Sequence, residues 1–141
     1  MRRLNFEDSF RIDGGPIDEQ HKVLFGLIND LSEAIEAHEI GKCREVALAF
    51  TDAAKAHFAW EETFLAEVGY PHVEQHKAYH VKLLALAEAA RKACDSQNHD
   101  FDHEECFEHL VQVFVDDVVK GDLTFKSFLD ERLGPRGYVK P

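Results

Sequence analysis

Between His57 and His80 the chain sets two pairs of metal-type ligands four residues apart, His57 with Glu61 and His76 with His80, on either side of a Gly69-Tyr70-Pro71 break. On an α-helix residues four apart share a face, so each pair can aim two ligand atoms at a common centre. Two such helices packed face to face would form a metal cage. The company these residues keep strengthens that reading. Val46, Phe50, Ala53, Ala54, Phe64 and Leu65 share the stripe of the first pair, and Val73, Leu83, Leu84, Ala87 and Ala90 share that of the second. Imidazoles and carboxylates on a core face are costly to bury unless they are partnered. A set of four that converges calls for a shared cation or a dense hydrogen-bond network.

Further candidates lie on the elements that must flank this pair of helices. Asp18 is a plausible N-cap of a first helix, whose stripe is Ile17, His21, Leu24, Phe25, Ile28, Leu31 and Ile35 before Gly41 ends the run. His21 thereby joins the core set. A second helix is expected from about Lys42 to Glu67, stopped by Gly69, and a third from Pro71 in its first turn to about Asp95. After a polar loop at 96–100, Asp102 and Glu105 suggest a capping box for a fourth helix. That helix carries Phe107, Leu110, Val111, Phe114, Asp117 and Val118 on one face. Asp117 therefore points inward, while Asp116, turned about 100° away, is expected in solvent. Gly121 offers a bend that can bring Asp122 inward, although capping of a tail helix that ends near Gly134-Pro135 explains Asp122 as well.

These elements predict an all-α protein: an up-down-up-down four-helix bundle with an N-terminal arm over residues 1–16 and a short C-terminal helix, in one domain spanning 1–141. With 141 residues, 45% of them hydrophobic and 11 of them Phe, a single domain has a well-supplied core. The formal charge of -11, from 16 Lys plus Arg against 27 Asp plus Glu, disfavours nucleic acid and anionic membrane as partners. No apolar run reaches the length of a membrane span and no signal-peptide pattern opens the chain, so the expected location is the cytoplasm. Cys43, Cys94 and Cys106 are widely spaced without a Cys-x-x-Cys, which predicts reduced, inert thiols and no thiolate metal site.

The candidate ligands are then His21, His57, Glu61, His76, His80, Asp117 and Asp122. Four imidazoles and three carboxylates exceed what one tetrahedral ion takes and suit two six-coordinate ions that share carboxylates. Iron, manganese and zinc all accept such donors; two irons are the best chemical match, since bundles with inward Glu and His commonly hold di-iron centres.

The chain resembles the hemerythrin family, specifically its single-domain bacteriohemerythrins. The resemblance rests on Ile17-Asp18-Glu19-Gln20-His21, on His57-Phe58-Ala59-Trp60-Glu61-Glu62, on Tyr70-Pro71 and on His76-xxx-His80, and it covers nearly the whole chain. It implies two iron ions cycling between Fe2+ and Fe3+ with an oxo or hydroxo bridge. His21 and His57 would bind one, His76 and His80 the other, and Glu61 and Asp122 would bridge them. The departure is Asp117, which stands where the family has a fifth histidine on the His76 and His80 side. The resemblance further implies reversible binding of dioxygen, or of small anions, at the iron held by His21 and His57, for carriage, storage or sensing. An oxygen-binding protein is expected ahead of an enzyme. The alternatives are a di-iron oxidase or peroxidase-type enzyme or a rapidly autoxidising redox sensor, because an added carboxylate favours the ferric state; a dizinc or dimanganese hydrolase is a third. Oligomeric state is left open. His38, His72, His99, His103 and His109 fit no cage and are expected at the surface. Glu62 is expected in a salt bridge, and Leu24, Phe25, Phe58, Phe64 and Phe114 either wall a dry pocket or simply pack the core.

Overall fold

The computed structural model describes residues 15–94, 103–117, 126, 128, 129 and 131. Within them lie α1 (Pro16–Glu36), α2 (Ile40–Glu67), α3 (Val73–Cys94) and α4 (His103–Val115). Each helix packs on the one before and after it, and α4 returns to α1, so the four form the expected up-down-up-down bundle. Lys126, Phe128, Leu129 and Glu131 are helical, as the tail helix requires. The N-terminal arm to residue 14, the polar loop at 96–100, Asp102 and Asp122 lie outside the described residues.

The stripes read from the sequence meet in one core, in which Leu24, Phe25, Ile28 and Leu31 of α1 pack with Val46, Phe50 and Phe58 of α2, Leu83 and Ala87 of α3 and Phe107, Leu110 and Phe114 of α4. A smaller cluster of Ile17, Leu65 and Leu129, joined by Trp60, Phe64 and Tyr70, closes the end where α2 turns into α3. Phe64 belongs to this end cluster and stacks on Trp60, so it does not share the main core with Phe58 and Phe114.

Three helix boundaries differ from expectation for local reasons. Pro16 opens α1 with Gly15 as N-cap, because proline lacks the N–H that a first-turn residue would leave unused. Asp18 thus falls inside the first turn, where its charge suits the positive end of the helix dipole. Gly41 does not end α1 but sits in the first turn of α2. The reversal belongs to His38, at φ 59°: its N–H bonds to Ile35 O and that of Glu39 to Ala34 O, the paired bonds of a Schellman closure. Gly69, at φ 78°, closes α2 in the same way, with Gly69 N–H to Ala66 O and Tyr70 N–H to Leu65 O. That turn extends through Pro71 and His72, so α3 starts at Val73 rather than at Pro71.

Cys106 is disulfide-bonded, which corrects the expectation of reduced thiols; Cys43 is a buried free thiol whose pKa burial raises. Widely spaced cysteines give no local signal for a pairing that tertiary packing creates.

Candidate metal centre

Three helices and the turn after the fourth bring ligand-type side chains to the same level of the bundle: His21 from α1, His57 and Glu61 from α2, His76 and His80 from α3 and, just past α4, Asp117. All six are buried, none more than 6% exposed. Their ligand atoms fall into two groups, His21 with His57 and Asp117, and Glu61 with His76 and His80, each held within 4.8 Å. Asp122, the seventh candidate, is not described.

In the first group Asp117 Oδ2 lies 3.1 Å from His57 Nε2 and 3.3 Å from His21 Nε2. In the second, Glu61 Oε1 lies 2.7 Å from His76 Nε2 and 3.1 Å from His80 Nε2. Glu61 also reaches the first group, with Oε2 3.4 Å from His57 Nε2. Two donors bound at about 2.1 Å to one ion stand about 3.0 Å apart at a right angle and about 3.4 Å apart at a tetrahedral one. The contacts of 3.1 to 3.4 Å match that spacing, while His76 and Glu61, hydrogen-bonded at 2.7 Å, would separate slightly to share a cation. The family resemblance implied that Asp117, if a ligand, would lie on the His76 and His80 side; the structure places it nearer to His21 and His57. The reason is that α4 packs between α1 and α3, and the chain widens into a π turn at Asp116 and Asp117.

The imidazoles are oriented from behind. His80 Nδ1 donates to Glu62 Oε2 at 2.8 Å, and His57 Nδ1 donates to Gln20 Oε1 at 2.6 Å. With the proton held at Nδ1, each neutral ring would offer its Nε2 lone pair to a cation, the tautomer a metal ligand needs, whereas here the same Nε2 atoms lie on carboxylate oxygens, His57 on Asp117 and His80 on Glu61, both at 3.1 Å. Phe58 stacks on the His80 ring with centroids 4.0 Å apart and planes 10° apart, fixing its tilt. Sequence reasoning missed Gln20, whose one signal is its place beside His21; Glu62 makes the expected salt bridge, to His80 Nδ1, which it reaches from about 100° off the inward face because α3 stands beside it.

Burial pulls the His80 pKa down, but hydrogen bonds to Asp117 and Glu61, the charge of Glu61 and the Glu62 contact outweigh it and hold it at about 10. An acidic pocket around the ring attracts a cation, whether proton or metal. Of the remaining histidines, His38 and His72 are exposed and His109 is half-buried on α4.

The sequence from 16 to 120 matches the family model described as the hemerythrin HHE cation binding domain. A bacteriohemerythrin of Pseudomonas aeruginosa (strain LESB58) is 34% identical over 80 residues, 57% of this chain and 52% of its own length. The bacteriohemerythrin of Methylococcus capsulatus is 34% identical over 86 residues, 59% of this chain and 63% of its own length. That of Clostridium acetobutylicum is 23% identical over 114 residues, 78% of this chain and 85% of its own length. The chain thus spans about half the length of the Pseudomonas relatives it matches. With the family model covering most of the chain and two buried donor triads beneath it, this protein belongs to the hemerythrin HHE cation-binding family.

Proposed function

We propose that this protein holds two iron ions and binds dioxygen reversibly, for carriage, storage or sensing. The observation that carries the reading is the pair of buried triads joined by Glu61, whose two carboxylate oxygens face one triad each. His21 and His57 would hold one ion and His76 and His80 the other, with Glu61 between them and Asp117 beside the first pair; Asp122 is assigned to the same set from its sequence position. A pair of irons supplies one-electron redox chemistry at each ion and an affinity for dioxygen that imidazole and carboxylate lack. The chain supplies the rest. Gln20 and Glu62 hold the His57 and His80 rings with Nε2 inward, and Phe114, 6.3 Å from the His21 ring between centroids, packs with Phe25 and Leu24 to exclude water on that side.

The test is to load the protein with ferrous iron anaerobically, admit dioxygen, and then remove it. Reversible appearance of a charge-transfer band with two irons per chain supports the reading; permanent oxidation in the first cycle contradicts it.

Asp117 favours a second reading, a redox sensor that autoxidises readily, since an anionic carboxylate in place of a neutral imidazole stabilises the ferric ion. Under it the parent oxidises in air faster than its Asp117→His variant. Equal rates would dismiss it.

A further inference from the structure

Asp117 stands where a ligand confined to one metal position would not. Its Oδ2 faces His57 Nε2 at 3.1 Å and His21 Nε2 at 3.3 Å, while its Oδ1 faces His80 Nε2 at 3.7 Å, on the other triad. Glu61 has the mirror disposition, with Oε2 toward His57 at 3.4 Å and Oε1 toward His76 at 2.7 Å and His80 at 3.1 Å. Two buried carboxylates therefore reach across the gap between the triads, one from α2 and one from the end of α4. A carboxylate has two oxygens to divide between two cations. An imidazole at this position has one nitrogen to offer toward the centre and serves one ion. Asp in place of His thus alters which donors the two positions share, as well as the charge.

The backbone holds this arrangement from outside. Asp117 lies in the π turn that ends α4, and the residue before it is fixed on two sides. Asp116 O accepts a hydrogen bond from Tyr79 Oη at 3.1 Å, and Asp116 Oδ1 accepts one from Gln112 Nε2 at 2.7 Å. With Asp116 tied to α3 through its carbonyl and to its own helix through its side chain, the next side chain is turned into the bundle, where it is 1% exposed.

Resting on the di-metal reading above, we propose that Asp117 is a carboxylate shared between both metal positions, matching the span of Glu61, and that Tyr79 is the positioning residue that holds it there. The test uses the full chain stripped of metal by chelation and titrated with cobalt(II) against a competing chelator, with the visible cobalt absorption followed at each equivalent. Asp117→Asn keeps the shape and removes the anionic donor. It is expected to weaken both equivalents by about tenfold or more and to change the absorption of both. Tyr79→Phe is expected to weaken both by a common, smaller factor, while the helical content and thermal unfolding of its metal-free form stay those of the parent. A merely structural tyrosine would lower the unfolding temperature and leave the cobalt spectrum unmoved.

If Asp117→Asn weakens a single equivalent, the carboxylate serves one ion and the proposal fails; if it weakens neither, Asp117 is no ligand and the proposal fails again. Should Asp117→Asn not fold, Tyr79→Phe decides by the same criterion, loss at both equivalents or at one. A parent that takes up fewer than two equivalents overturns the di-metal reading itself, and that failure is visible before any variant is made.

Discussion

Removing the Glu62 carboxylate should weaken metal binding by about tenfold, although Glu62 does not face the centre. Glu62 Oε2 accepts the Nδ1 proton of His80 at 2.8 Å, a charge-assisted hydrogen bond that fixes the ring and makes Nε2 a stronger donor. Loss of such a partner behind a metal-bound histidine typically costs ~10–100-fold in affinity. Glu62 is 25% exposed, so water both screens its charge and can replace it at Nδ1, which places the effect at the lower end, about tenfold or ~1.4 kcal/mol. Glu62→Gln keeps an acceptor oxygen without the charge and should lose only about threefold, between the parent and Glu62→Ala. The assay is competition for ferrous iron against a chelator of known affinity. Glu67 lines the same surface groove, and Glu67→Ala removes an equal charge from an exposed site. If Glu62→Ala and Glu67→Ala behave alike, the effect is general electrostatics and the orienting role of Glu62 is refuted.

Three further outcomes are expected. In protein stripped of metal, the His80 pKa is raised from 6.5 to about 10, so its contribution to stability is full below about 6.5 and is lost as pH rises through about 10. Denaturation of the apoprotein at stepped pH should show that decline, and a curve flat across this window would refute it. His38→Gly should stabilise the fold by about 0.5–1 kcal/mol, because φ 59° strains a residue with a Cβ while its exposed side chain gives up little contact; a lower urea midpoint at unchanged slope would contradict this. Alkylation of the unfolded protein, mapped by peptide mass, should label Cys43 without reduction and Cys106 only after it; labelling of Cys106 before reduction would rule out its bond.

The sequence exposed the bundle and most of the centre because both are periodic. His57 with Glu61 and His76 with His80 lie four apart on apolar stripes, and burial of those stripes forces the pairs to meet. Asp117 could be placed inward by the same phase. Which triad it faces could not, since that depends on α4 lying between α1 and α3 and on a π turn that shifts the phase at the last step. Gln20 escaped, and the partner of the expected Glu62 salt bridge could not be named, because their contacts, to His57 and His80, join different helices and leave no spacing pattern. Gly69 ends α2 as its sequence position indicates, but Gly41 and Pro71 mislead for separate reasons: the reversal before α2 is made by His38, and the turn after Gly69 runs on through His72 before α3 starts.

The central claim is that two iron ions lie side by side among these six side chains, and anomalous diffraction from crystals of the iron-loaded protein, measured across the iron edge, tests it most directly. The account predicts two iron peaks per chain, one beside His21 and His57 and one beside His76 and His80, with the Glu61 and Asp117 carboxylates between them. A single peak, or iron outside the two triads, would contradict it.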